Sequence, residues 1–192
     1  MDDHGVTIGA DGLARCSWAG SEPLYLTYHD EEWGRELRGE DALFERICLE
    51  AFQSGLAWIT ILRKRENFRS AFADFEIAKV AEFGDADVTR LLADEGIVRN
   101  RAKINASIAN ARAARALDGG LTELIWSHAP ADQAVPSSLS EIQATTAESV
   151  ALSKALKKAG FAFVGPTTSY ALMQACGLVN DHVAACHTRI KK

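Results

Sequence analysis

The sequence predicts an all-α fold. Three observations carry it: apolar residues recur at helical spacing through most of the chain, β-branched alternation bounded by turn residues is scarce, and glycine or aspartate punctuates the periodic stretches at short intervals. The 192 residues are 47% hydrophobic and 24% charged, an ordinary globular composition with too much apolar surface for a disordered tail. A chain of this length makes one domain or two small lobes sharing a core.

Taken in order, residues 1–14 read as a flexible extension, 15–186 as a single domain and 187–192 as a tail. Residues 40–54 place Leu43, Phe44, Ile47, Cys48, Ala51 and Phe52 on one broad face and stop at Gly55. Short helices are expected over 57–65, 66–72, 77–82, 85–94, 99–117 and 121–127, separated by Gly or Asp. Residues 129–140, with Pro130, Pro136 and three serines, read as a loop. Two further helices cover 146–159 and 167–177, the first opened by a capping box formed by Thr145 and Glu148. Because the loop comes so late, the terminal helices make a stable unit only if the N-terminal segment packs with them. Neither internal repeats nor low-complexity tracts occur.

No apolar run approaches the roughly 18 residues a spanning helix needs, and the first ten residues carry Asp2, Asp3 and His4 where a secretory signal would be basic and then apolar. The expectation is a cytoplasmic protein without a membrane partner. In that setting the four cysteines are reduced thiols, available for packing, metal or catalysis. A net charge of −5 excludes a chain that coats nucleic acid indiscriminately.

Charge is nevertheless uneven. Residues 16–50 hold nine acids (Glu22, Asp30, Glu31, Glu32, Glu36, Glu40, Asp41, Glu45, Glu50) against Arg35, Arg38 and Arg46. Residues 96–117 reverse the balance with Arg99, Arg101, Lys103, Arg112 and Arg115 and no acid among them; Arg63, Lys64, Arg65 and Arg69 form a second basic cluster opposed only by Glu66. Such clusters are either phosphate-binding surfaces or solvated helix faces.

Three constellations carry chemistry. Gly96 through Lys103 forms a short turn feeding a helix, where backbone N–H groups and the charges of Arg99, Arg101 and Lys103 would meet an anion, or else an ordinary loop. Cys16 and His29 near one end, with His182 and Cys186 near the other, are the residue types of a tetrahedral zinc site, or simply half-buried residues. His187, His4 and Cys176 are rival ligands, and Cys48 belongs to the core. Finally, Trp18, Tyr25, Tyr28, Trp33 and Trp58 concentrate around Glu50, which lies on the flank of an apolar helix face. A carboxylate entering such an interior implies a buried salt bridge or a ligand pocket.

Several stretches are long enough to carry a family resemblance: Arg15-Cys-Ser-Trp18, Tyr28-His-Asp-Glu-Glu-Trp-Gly34, Leu43-Phe-Glu-Arg-Ile-Cys-Leu-Glu50, Gln53-Ser-Gly-Leu-Ala-Trp-Ile-Thr-Ile-Leu62, Arg63-Lys-Arg-Glu-Asn-Phe68 and Met173-Gln-Ala-Cys-Gly-Leu-Val-Asn-Asp-His182. Together they resemble the 3-methyladenine DNA glycosylase I family, the constitutive alkylation-repair enzymes of bacteria, from Arg15 to Cys186. The resemblance implies a helix-hairpin-helix fold, a structural zinc on Cys16, His29, His182 and Cys186 joining the N- and C-terminal segments, and a base pocket of Tyr28, Trp33, Glu50 and Trp58 with Trp18 close by. It further implies Glu50 as the catalytic-site acid, Gly96, Arg99, Arg101 and Lys103 as DNA contacts, and Leu56 as a candidate for filling the gap left by an extruded base. Departures fall in the first fourteen residues, the 129–140 loop and the tail after Cys186, none expected to touch the chemistry. The superfamily's aspartate after the hairpin is missing, because residues 105–117 contain no acid.

The expected activity is hydrolysis of the N-glycosidic bond of 3-methyladenine in duplex DNA, by a monomer using no nucleotide cofactor. A non-catalytic zinc-containing DNA-binding or damage-sensing module would keep the hairpin and metal but needs no pocket carboxylate. A zinc hydrolase needs an open coordination position, which four protein ligands do not leave.

Overall fold

The computed structural model describes residues 5–190. His4, one of the rival ligands, lies outside the described residues. The chain opens with an antiparallel hairpin, β1 (Val6–Ile8) and β2 (Ala14–Cys16), in which Val6 faces Cys16. The hairpin crosses the boundary at residues 14 and 15 that the sequence suggested. Three residues per strand are too few for alternation to register, and what fixes the pairing is tertiary: Arg15 binds Asp11 at one end and Asp30 of the next helix at the other, each at 2.8 Å.

Among the described residues ten helices follow. The first, α1 (Pro23–Glu31), has no clear apolar face and was not anticipated, although Pro23 at its first position is a start signal. Then come α2 (Glu40–Gln53), α3 (Trp58–Ala71), α4 (Ile77–Val80), α5 (Asp85–Ala93), α6 (Arg101–Arg115), α7 (Gly120–Trp126), α8 (Ala147–Lys158), α9 (Pro166–Ala175) and α10 (His187–Ile190). Residues 57–65 and 66–72, read as two helices, are the single α3, since nothing between Arg65 and Glu66 interrupts the backbone ladder. Thr146, not Thr145, caps α8, exchanging hydrogen bonds with Ser149. The dominant signal is therefore all-α, as expected, with one small hairpin added.

Helix α2 is the centre of the packing. Leu43, Phe44, Ile47, Cys48, Leu49, Ala51 and Phe52 are all buried, and the helix touches α3, α6, α7 and α9. On one side Phe52, Phe68, Phe72 and Phe75 form an aromatic core, the Phe52 ring centroid 4.6 Å from that of Phe68 and 5.8 Å from that of Phe72, and Phe72 5.4 Å from Phe75. Each such ring removed from water contributes about 1.5 to 3 kcal/mol. On the other side α9 lies between α2 and α8, and β2 packs on α10, so the N-terminal segment does close over the terminal helices.

The acidic run of residues 16–50 is consumed in holding these pieces together. Glu22 pairs with Arg63, Asp30 with Arg15, Glu32 with Arg46 and Arg65, Glu36 with Arg38, and Glu45 with Arg69. Glu40 accepts from the Leu121 and Thr122 N–H groups and the Thr122 hydroxyl, capping α7, while Asp41 accepts from the Ile77 N–H and caps α4. Exposed Glu31 and buried Glu50 are left over.

The segment between α1 and α2 is pinned to the end of α9: the Gly34 N–H donates to Gln174 O at 2.9 Å and the Leu37 N–H to Cys176 O at 3.0 Å. This contact requires glycine at 177, where φ is +74° and a Cβ would run into the Arg35 carbonyl. No helix among the described residues is long and apolar enough to cross a membrane.

Candidate active site

A cavity of about 360 Å³ opens where α2 and α3 meet α1 and α9. Trp18, Tyr25, Tyr28, Trp33 and Trp58 form its aromatic walls, Glu50, Gln53 and Gln174 its polar points, and Leu139, Ile142 and Ala171 the rest. All five residues expected to form a pocket therefore converge on one space. Tyr28 and Trp58 are tilted against each other at 5.3 Å, and Trp18 meets the Trp33 edge at 4.8 Å. Spacing explains part of this convergence: Tyr25 and Tyr28 are three apart on α1, as are Glu50 and Gln53 on α2 and Ala171 and Gln174 on α9.

Glu50 is 5% exposed and has neither a hydrogen bond nor an ion pair among the described residues. Burial pushes its carboxyl up to about 8, against a smaller pull downward from Arg46 one turn away. The two readings left open by the sequence, salt bridge or pocket, are thus decided by geometry. Arg46 instead donates to Glu32 at 2.5 Å and lies 5.6 Å from the Tyr28 ring. It lies beside a cavity-lining ring without pairing with the Glu50 carboxyl. The Trp58 indole N–H is also buried and has no acceptor among the described residues.

Gln53, Gln174, Leu139 and Ile142 were not anticipated. Gln53 was within reach as the next same-face residue after Glu50. Leu139 was not, because residues 129–140 were expected to stand clear of the chemistry, and the structure corrects this. Gln133 of that loop donates to Asp181 and accepts from the Asn180 N–H, both at 2.7 Å, which seats Leu139 against the cavity.

The basic turn is confirmed as a turn between α5 and α6, with corrections to its chemistry. Lys103 is 7% exposed, and its ammonium donates to Phe52 O at 2.9 Å and Ser54 O at 2.6 Å. It caps the end of α2 and does not face solvent, contrary to its expected place among phosphate contacts. The Gly96 N–H is taken by Asp94 at 2.7 Å, so it is not offered to an anion. Arg112 and Arg115 bind Ala81, Phe83 and Glu82. In the second basic cluster Arg63, Arg65 and Arg69 are paired with carboxylates, and Lys64 holds the Glu95 and Gly96 carbonyls. What remains exposed is Arg101, and Arg99 with a 3.7 Å contact to Glu95, beside the first N–H groups of α6. Leu56, 41% exposed, stands on the turn that ends α2.

The ligand atoms of Cys16, His29 and Cys186 lie within 4.8 Å of one another, all three residues buried. His29 Nδ1 is 2.7 Å from Asp30, so its Nε2 turns toward Cys186 Sγ at 3.5 Å. A carboxylate behind a histidine is the usual support of a metal ligand, and two thiols with an imidazole suit zinc. The fourth expected ligand, His182, is only a neighbour here: its ring is 4.7 Å from that of His29, with Nδ1 on Asn180 and Nε2 3.2 Å from His29 O. His187, a rival, shares Asp30 with His29. Cys176 lies apart, buried near Arg46, and Cys48 is core.

A sequence model described as methyladenine glycosylase matches residues 18–189. The chain is 51% identical over 180 residues to DNA-3-methyladenine glycosylase 1 of Escherichia coli (strain K12), covering 91% of this chain and 96% of that protein. It is 44% identical over 178 residues to the DNA-3-methyladenine glycosylase of Haemophilus influenzae, covering 90% and 96%. Among solved structures, one of 3-methyladenine DNA glycosylase I superposes with a TM-score of 0.87 at 47% identity, covering 90% of this chain and 98% of that one. The Staphylococcus aureus enzyme, solved for 3-methyladenine recognition, superposes with a TM-score of 0.86 at 34% identity, covering 93% and 97%.

The position of Glu50 sets a pH dependence. Below its ordinary value of 4.5 the carboxyl is protonated both folded and unfolded; between there and about 8 only the unfolded chain ionises. Stability therefore falls as pH rises through that window. Glu50→Gln should be more stable than the parent by a margin that grows from pH 5 to pH 8, by on the order of 3 kcal/mol. Urea melts at the two pH values measure this, and a margin independent of pH would contradict it.

Proposed function

The chain belongs to the methyladenine glycosylase family, and on that premise we propose how its cavity performs the family's reaction. The protein is a DNA base-excision glycosylase that hydrolyses the N-glycosidic bond of 3-methyladenine in alkylated DNA, releasing the free base and leaving an abasic site. The observation that carries the reading is Glu50, a buried carboxyl with no partner among the described residues, inside an aromatic cavity sized for one purine.

Methylation at N3 makes the purine a cation before it meets the enzyme. The faces of Tyr28, Trp58, Trp33 and Trp18 attract that cation, each contact contributing about 0.5 to 2 kcal/mol once water is excluded. A cation beside Glu50 favours its ionised form, so binding the lesion drives off the proton that the empty cavity retains. The carboxylate then accepts from the base edge. Neutral adenine supplies no such charge and leaves the carboxyl protonated. As the glycosidic bond breaks, N9 keeps the electron pair and the base leaves uncharged, while water adds at C1′ and gives a proton to solvent. Little acid or base work is required, which suits a helix α6 without the superfamily's aspartate.

Extruding the base costs a few kcal/mol. Duplex phosphates at the helix-hairpin-helix turn, bound by Arg99, Arg101 and the first N–H groups of α6 that the Asn100 cap on Lys103 leaves open, offset it, and Leu56 enters the gap. A structural zinc would be held by Cys16, His29 and Cys186 with His182 as fourth ligand; it would tie the two ends of the chain together and supply no chemistry to the cavity.

Incubation with N-methylated DNA and chromatography of the released bases tests the activity directly. Glu50→Gln should lower excision roughly 10- to 100-fold, the 1 to 3 kcal/mol of a charge-assisted hydrogen bond, with no loss of melting temperature. A destabilised variant with normal excision would make Glu50 structural. Arg101→Ala should reduce the salt slope of DNA binding by about one unit on every sequence. Lys103→Met should leave that slope alone and lower the melting temperature, since two carbonyls lose their donor. Protein purified without added metal should contain about one zinc per chain, and a fully stable metal-free preparation would exclude the structural site.

A further inference from the structure

We propose that Gln174 determines which purine the cavity takes, by presenting its side-chain oxygen as an acceptor to the 6-amino group of the base, and that Asp181 is the positioning residue that holds it so. The inference rests on the excision reading given above and names a recognition contact beyond Glu50.

Gln174 lines the cavity from α9, one turn beyond Ala171. An amide can offer either its oxygen or its nitrogen to a ligand, and which one is decided by what holds the other. Here Nε2 donates to Asp181 Oδ2 at 2.7 Å. Asp181 is 3% exposed and receives two more donors, the Tyr170 hydroxyl on Oδ2 and Gln133 Nε2 on Oδ1, each at 2.7 Å. No cation pairs with it among the described residues, so three neutral donors satisfy it. A carboxylate only accepts, so turning the Gln174 amide over would set oxygen against oxygen in a buried place. Gln133 cannot relieve this, since its own oxygen is engaged by the Asn180 N–H. The Gln174 amide is therefore locked with Oε1 away from Asp181, and Oε1 has no donor among the described residues.

The consequence is chemical. Of the cavity's polar points, Gln174 Oε1 is then fixed as an acceptor and Glu50 becomes one on losing its proton to the bound cation, whereas the Gln53 amide can turn to present either end. A 6-aminopurine brings the donor these acceptors lack. A 6-oxopurine of the same shape brings another acceptor, which leaves Oε1 unpaired and facing an oxygen. Rejection by an unsatisfied buried polar group is far stronger than rejection by shape.

DNA carrying both 3-methyladenine and 3-methylguanine separates the cases, with single-turnover release of each base by the parent, Gln174→Met and Asp181→Asn. The parent should favour 3-methyladenine. Gln174→Met should slow 3-methyladenine release about tenfold while leaving 3-methylguanine release unchanged or faster, the size of one neutral hydrogen bond. Asp181→Asn, whose amide can donate to Oε1, frees Gln174 to turn over and should narrow the preference with the cavity volume kept. Equal losses on both bases would assign the two residues a structural role and overturn the proposal. Binding to the parent protein needs no variant: free 3-methyladenine should quench the cavity tryptophans at lower concentration than 3-methylhypoxanthine, its 6-oxo counterpart, and equal affinities would also overturn it. Failure of the parent to release 3-methyladenine would refute the excision reading itself, whereas release with an unaltered preference in both variants refutes only this one.

Discussion

A carboxyl group held out of water with no counter-ion among the described residues is the constraint around which this molecule is organised. Removing Glu50 from solvent is unfavourable, and burial shows in a carboxyl pushed up to about 8. The fold tolerates it because the rest of the acidic run is neutralised elsewhere, by arginines or at helix starts. Arg46 sits close enough to do the same for Glu50, yet Glu32 takes it. An acid left over in this way, amid electron-rich rings, is a site waiting for a cation.

Such a site works only if its walls stay put. Both ends of α2 are fastened by long-range contacts: Glu40 and Asp41 at the start cap α7 and α4, and Lys103 at the end closes two carbonyls. The Lys103 contact also joins the turn entering α6, where exposed arginines gather, to the turn carrying Leu56. The turn that carries the exposed arginines and the end of the helix that carries Glu50 are thereby joined through one buried ammonium.

The opposite wall is assembled from the two ends of the chain. α1 brings Tyr25 and Tyr28, α9 brings Ala171 and Gln174, and the Gly34–Gln174 and Leu37–Cys176 hydrogen bonds hold the segment after α1 to the end of α9. The Cys16, His29 and Cys186 cluster lies directly behind this wall, with His29 next to Tyr28 in sequence. Cross-linking there would stiffen the cavity from behind while leaving its interior free of metal.

Helical periodicity by itself determined the all-α class, the buried face of α2 and the flank position of Glu50, because these follow from spacing along one segment. The motifs likewise named the aromatic residues before any geometry was known. What only the tertiary structure decided was partnership. Lys103 reads as a phosphate ligand in an acid-free basic stretch, and becomes a helix cap because α6 lies against the end of α2. Glu50 reads as half of an ion pair or as a pocket acid, and is left without an ion-pair partner among the described residues because Glu32, distant from Arg46 in sequence, takes that arginine. The 129–140 loop looked peripheral, yet Gln133 anchors it to Asp181 and Leu139 reaches the cavity. Local sequence fixes which side chains share a face; which charge meets which depends on competition between partners far apart in the chain, and packing alone settles that competition.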